Sequence, residues 1–233
     1  MKRFLATGVG IAAGLSTIIG VAGTPVASAG GSAGCTITGS RGDDLLRGTN
    51  HDDVICGLGG DDRIFGRDGA DIIRGGAGRD RIVGGDGNDV AKGGGGRDRI
   101  GGARGDDRLK GGPKKDRLQG NAGGDNLRGG PGRNVLAGGL GDDTVRGGSD
   151  AENLRGAKGT DRVIGRGGDD VISGGEDNDD IMGGKGADRL LGRLGDDTLN
   201  AVDGIDGNDV VRGQDGIDTC LADPGDTEQS CEA

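Results

Sequence analysis

The 233-residue chain holds 59 Gly, two Phe and neither Trp nor Tyr; only 30% of it is apolar, and its net charge is -10. This excludes a conventional globular core, and it argues against nucleic acid as a partner, because phosphate recognition calls for a basic footprint. Any fold has to draw on something besides hydrophobic burial.

At the N-terminus, Lys2 and Arg3 precede an uncharged stretch that starts at Phe4 and closes on Ala27-Ser28-Ala29. This reads as a signal peptide over residues 1–29, so a secreted, extracellular product with no membrane span after cleavage is expected. An uncleaved anchor is the weaker reading, because the run is rich in Gly, Ser and Thr although long enough to cross a bilayer. Lipidation at Cys35 is weaker too, since Ser32 stands where Leu would be expected and the cysteine lies beyond the apolar run.

Residues 30–38 form an N-terminal cap segment, and from Gly39 the chain falls into blocks of nine without a gap as far as Asn200. After an insertion, Ala201-Val202-Asp203, two further blocks start at Gly204 and Gly213 and end at Leu221, making twenty. Residues 222–233 form a C-terminal cap segment. Position one is Gly in all twenty blocks and position four in sixteen; position six is Asp in eighteen, and position eight is Leu, Ile or Val in eighteen. A disordered Gly/Asp linker has no reason to place one aliphatic residue every nine positions, and collagen would repeat every three.

The columns predict an all-β parallel β-roll of about ten coils, with two blocks per coil. Glycine at positions one and four lets the backbone take positive φ and turn tightly. Positions seven to nine, such as Arg81-Ile82-Val83, make a short strand whose middle side chain points inward. One aliphatic side chain per nine ordered residues does not offset their conformational entropy, so another stabilising element is required. Position six supplies it. Stacking brings carboxylates eighteen residues apart, such as Asp62 and Asp80, to one edge, where they repel unless a cation lies between them. Calcium accepts carboxylate and carbonyl oxygens in a flexible shell, whereas magnesium wants stricter geometry and zinc wants Cys or His. His51, at position four, reads as a turn residue.

Basic residues also recur every eighteen positions. Arg74, Lys92, Lys110, Arg128 and Arg146 should form a ladder on one face, and Arg63, Arg81, Arg99 and Arg117 another. They are candidate contacts for an anionic cell-surface polymer, the alternative function, but the favoured reading is that nearby Asp turns neutralise them and charged strands discourage aggregation. Self-association as an adhesin is a further partner reading. The cysteines lie in pairs near the two ends of the roll. A rod of ten coils at roughly 4.8 Å each leaves Cys35 with Cys56 and Cys220 with Cys231 as the reasonable bridges. The chain is not expected to be an enzyme, since its single His sits inside a repeat and no segment outside the repeats is long enough for a catalytic domain.

Blocks such as GLGGDDRIF from Gly57 and GGAGRDRIV from Gly75 closely resemble the haemolysin-type, or repeats-in-toxin (RTX), calcium-binding nonapeptide. The resemblance implies a six-residue calcium-binding turn and a three-residue strand, with each ion held between neighbouring turns by position-six Asp and turn carbonyls. It implies as ligands Asp44, Asp53, Asp62, Asp71, Asp80, Asp89, Asp98, Asp107, Asp116, Asp125, Asp143, Asp161, Asp170, Asp179, Asp188, Asp197, Asp209 and Asp218. The N-terminal signal and terminal cysteines look like free-standing secreted members, and Asp215 to Glu232 looks like their capping segment. Departures at Lys114 and Lys115, Asn134, and Asp150 with Glu152 all fall in odd-numbered blocks, so the edge they share is expected to be calcium-poor in mid-rod.

Overall fold

The computed structural model describes residues 34–205 and 207–231, and these form a single parallel solenoid. The expected signal peptide and the start of the first cap lie outside the described residues. Two sheets of eleven parallel strands face one another, and consecutive strands alternate between them. The pairing register is eighteen residues, as in Ile64 with Ile82 and Ile82 with Ile100. The inward file from one sheet, including Ile55, Ile73, Leu109, Leu127 and Val163, meets the file from the other, including Ile64, Ile82, Leu118 and Leu136; all are at most 1% exposed.

There are eleven strands per sheet because each end segment adds one strand. Ile37–Thr38 pairs with Ile55 and Cys56 ahead of the first block, and Thr227–Gln229 pairs with Val210 to Arg212 after the last. Glu228 takes the register of an inward residue there, so the file ends on a charge that discourages end-to-end strand addition. The two expected disulfides are present, with Cα separations of 6.1 Å for Cys35–Cys56 and 5.7 Å for Cys220–Cys231. The insertion at Ala201–Asp203 is absorbed in one turn, so that Arg189 still pairs with Val210, twenty-one residues away.

Two local expectations need correction. Many strands run for six residues, as in Arg81–Asp86, because positions one to three of the next block continue the ladder. Positive φ therefore falls at positions two and four rather than one and four: Leu58 (80°), Arg67 (89°) and Gly76 (118°) at position two, Gly78 (125°) and Asp177 (73°) at position four. Position one is Gly for a different reason. A Cβ on Gly75 would overlap Asp80 Oδ2 and lie 2.6 Å from the Gly93 carbonyl oxygen.

Candidate metal centre

Each turn delivers its position-six side chain into the roll rather than onto its surface. The eighteen aspartates there are at most 7% exposed, most of them 1–2%. In the sixteen from Asp62 onward, one carboxylate oxygen accepts the main-chain N–H of the position-six residue one coil earlier. Along the edge built by even-numbered blocks this chain of bonds is unbroken, from the Asp53 N–H on Asp71 Oδ1 at 2.8 Å to the Asp197 N–H on Asp218 Oδ1 at 3.0 Å. We call this the intact edge. The opposite, broken edge runs from Asp44 to Asn134, whose Oδ1 accepts the Asp116 N–H at 2.8 Å; it resumes at Glu152, whose N–H donates to Asp170 Oδ1.

The second oxygen of these carboxylates, Oδ2, has no partner in sixteen of the aspartates, among them Asp62, Asp107, Asp143 and Asp179. Burying so many carboxylate oxygens without a donor is costly. Burial accordingly lifts these groups, to about 6 for Asp125 and Asp161, about 7 for Asp107, Asp116 and Asp143, and about 8 for Asp170 and Asp179; neighbouring carboxylates, Glu152 beside Asp170 for instance, add to the rise.

Asn134 identifies what the orphaned oxygen faces. Its Nδ2 replaces Oδ2 and donates to the Gly130 carbonyl oxygen at 2.8 Å. With an ionised Asp at that position, two acceptors confront one another at position two, and a cation between them satisfies both. No group of three or more His, Cys, Asp or Glu side chains converges among the described residues, so carboxylates alone do not build a site. Carboxylate oxygens with main-chain carbonyls are the donor set of a hard cation, and calcium fits it.

Three turns are closed in another way. In the blocks from Gly39, Gly48 and Gly147, position two is not left-handed, and its N–H donates to the position-six carboxylate: Ser40 to Asp44 at 2.5 Å, Thr49 to Asp53 at 2.7 Å and Gly148 to Glu152 at 3.0 Å. The Ser40 and Thr49 hydroxyls add bonds of 2.9 Å each. Asp44 and Asp53, expected as ligands like the rest, thus already hold protein donors. His51 and Asp150 occupy position four in two of these turns, where the backbone needs no positive φ. Sequence reasoning missed this closed form; a hydroxyl at position two was the available signal. It also missed a second column at position five, where Asp43, Asp61, Asp106 and Asp142 each accept the amide one coil later.

Both basic ladders are in register, for example Arg74–Lys92–Lys110 and Arg81–Arg99–Arg117. Neutralisation by turn aspartates, favoured from the sequence, is not seen: the ion pairs among the described residues are Arg79–Asp61, Arg104–Asp86, Lys158–Glu176 and Arg162–Asp180, and none involves a ladder residue. Arg146 is crowded by Arg128, Arg162 and Arg166, and its Nη1 has no partner.

A family model described as RTX calcium-binding nonapeptide repeat (4 copies) matches the chain in seven overlapping or abutting segments that together run from residue 36 to residue 206. No curated protein is significantly similar to the chain.

Proposed function

The chain belongs to the RTX calcium-binding nonapeptide-repeat family, and on that premise we propose that it is a secreted module that folds on binding calcium and serves a structural or adhesive role outside the cell. The observation that carries this reading is the column of buried carboxylate oxygens without donors. A bound calcium ion would neutralise neighbouring carboxylates and draw in turn carbonyls. In its absence the thin core has to stabilise the roll alone, and binding free energy therefore becomes folding free energy.

We assign the ligands to the position-six aspartates whose Oδ2 is orphaned, with the fullest occupancy on the intact edge at Asp71, Asp89, Asp107, Asp125, Asp143, Asp161, Asp179, Asp197 and Asp218. The turns closed by Ser40, Thr49 and Gly148 and the turn carrying Asn134 hold no ion of their own. The roll occupies residues 39–221, with caps on either side. Titrating calcium into chelated protein while recording far-ultraviolet circular dichroism tests the reading: strand signal should appear cooperatively with calcium. A chain already rich in strand under excess chelator and unchanged by calcium would sink it.

A further inference from the structure

The broken edge is bordered by cations on both sides. A groove of about 870 Å³ runs along it from Asp43 to Val135, crossing several coils between the position-five and position-seven side chains. Arg79, Arg97 and Lys115 stand on one wall, and Arg81, Arg99 and Arg117 on the other. All six are exposed. Only Arg79 makes an ion pair among the described residues, with Asp61. The three arginines of the second wall are direct cross-strand neighbours. Like charges in adjacent strands are destabilising unless something offsets them.

Apart from the Arg79–Asp61 pair, no ion pair within the groove offsets them. Its floor aspartates, Asp80, Asp98 and Asp116, are 1–2% exposed, and each gives one oxygen to a main-chain amide. Asp43 and Asp61 also line the first wall and Asp61 pairs with Arg79, so the cations left without an ion pair are Arg97 and Lys115 on that wall and the three arginines opposite, which an external anion would offset. On the opposite edge the position-five column contains Asp52, Asp106, Asp142 and Asp196 instead of cations, so the basic strip is local and stands against a net charge of -10.

We propose that this groove binds a linear anionic polysaccharide laid along the roll axis. The coil repeat of about 4.8 Å is close to the span of one sugar in an extended chain. Acidic groups that alternate to either side of such a chain meet a row of cations on each wall. Single-stranded nucleic acid would want aromatic platforms for its bases, and none lines the groove. An acidic peptide strand repeats its same-face side chains about every 6.8 Å, out of step with the coils. The proposal requires a folded roll but no calcium on this edge.

The test uses the full chain in calcium buffer, with circular dichroism on the same samples. The probes are dextran sulfate, a short oligogalacturonate, uncharged dextran and a single-stranded DNA. Binding to one or both anionic sugars and not to dextran is expected, weakening with salt, and comparing sulfated with carboxylated probe identifies the acidic group. Arg81→Glu with Arg99→Glu and Arg117→Glu should weaken binding about tenfold or more while calcium still folds the roll; the same three changed to Gln provide a milder variant if the reversal does not fold. Changing Arg108, at position seven on the opposite edge, with Arg155 and Arg212, at position nine on a sheet face outside the groove lining, to Gln should leave binding within about twofold. A folded roll that ignores both sugars, that prefers the DNA, or that loses as much affinity through the control set overturns the proposal, and the calcium reading survives each of these results.

Discussion

The two edges are built from the same nine-residue block and carry the same hydrogen-bond ladder, yet they differ in what surrounds it. On the intact edge the ladder from Asp53 to Asp218 is continuous, position five is acidic or neutral, and each carboxylate from Asp71 onward has an orphaned oxygen. On the broken edge Asn134 and Glu152 interrupt the aspartate series, and cations stand at position five from Arg79 through Arg97 and Lys115 to Arg133. If the orphaned oxygens are the ligands, as proposed, repeat count alone does not predict ion count. What matters is whether the second carboxylate oxygen finds a protein donor and which charges lie beside it.

The largest expected effect separates the two edges by a matched pair of deletions. Asp143→Ala removes the acceptor for the Asp125 amide and an orphaned oxygen; Asn134→Ala removes the acceptor for the Asp116 amide but no carboxylate. Each leaves a buried amide unpaired, at a cost of about 1–3 kcal/mol. Only the first should also lose an ion, so in calorimetric titration its stoichiometry should fall while that of Asn134→Ala holds. Equal losses would mean that the edges do not differ in occupancy.

Proton binding gives the next contrast. In the metal-free roll, burial holds Asp107, Asp116 and Asp143 near 7 and Asp170 and Asp179 near 8, against about 3.9 in an unfolded chain. The folded state binds more protons than the unfolded one, so these groups favour folding at low pH, and that stability is lost as pH rises from about 4 through about 8. Calcium needs deprotonated carboxylates and should invert the trend. Thermal melts near pH 5 and pH 8 should show the chelated protein more stable at the lower pH and the calcium-loaded protein more stable at the higher. A chelated roll that strengthens with rising pH would contradict the assignment of buried, donor-less oxygens.

Repairing the broken edge is a smaller step in the opposite direction. Asn134→Asp with Glu152→Asp places an aspartate at position six in both turns, and calorimetry should count at least one additional ion. Unchanged uptake would shift the cause to the flanking cations, Lys115 and Arg133.

Most of the architecture was legible because each decisive column repeats twenty times. The inward file and the eighteen-residue register follow from which residue recurs where, and both disulfides from the rod length that separates the two cysteine pairs. What was not legible depends on the orientation of single peptide groups. Gly75 reads as a turn glycine, yet its hydrogen is needed because a carboxylate packs against its Cα. Asp44 and Asp53 match the pattern as fully as Asp62 does, and only the direction of the Ser40 and Thr49 amides satisfies the Oδ2 that Asp62 leaves orphaned, although Asp44 Oδ1 stays without a partner. The two added strands were hidden for a simpler reason: Ile37 and Glu228 lie in segments without the glycine spacing.

The closed turns at the N-terminal end yield the smallest effect and the finest test of the edge comparison. In Ser40→Ala and Thr49→Ala the main-chain amide still donates to the carboxylate, so each change removes the hydroxyl's bond to the carboxylate and the exposed amide bond it accepts from Gly42 or His51, and should cost about 0.5–1.5 kcal/mol. If these hydroxyls belong to a coil that needs no ion, the double variant melts at a lower temperature with its calcium stoichiometry unchanged. If the hydroxyls instead keep a cation out, removing them frees Asp44 and Asp53 to behave like Asp62 and Asp71, and the ion count rises. Loss of an ion is the third outcome, and it would mean that the first coil binds calcium through these hydroxyls and that its carboxylates are not satisfied by the protein after all.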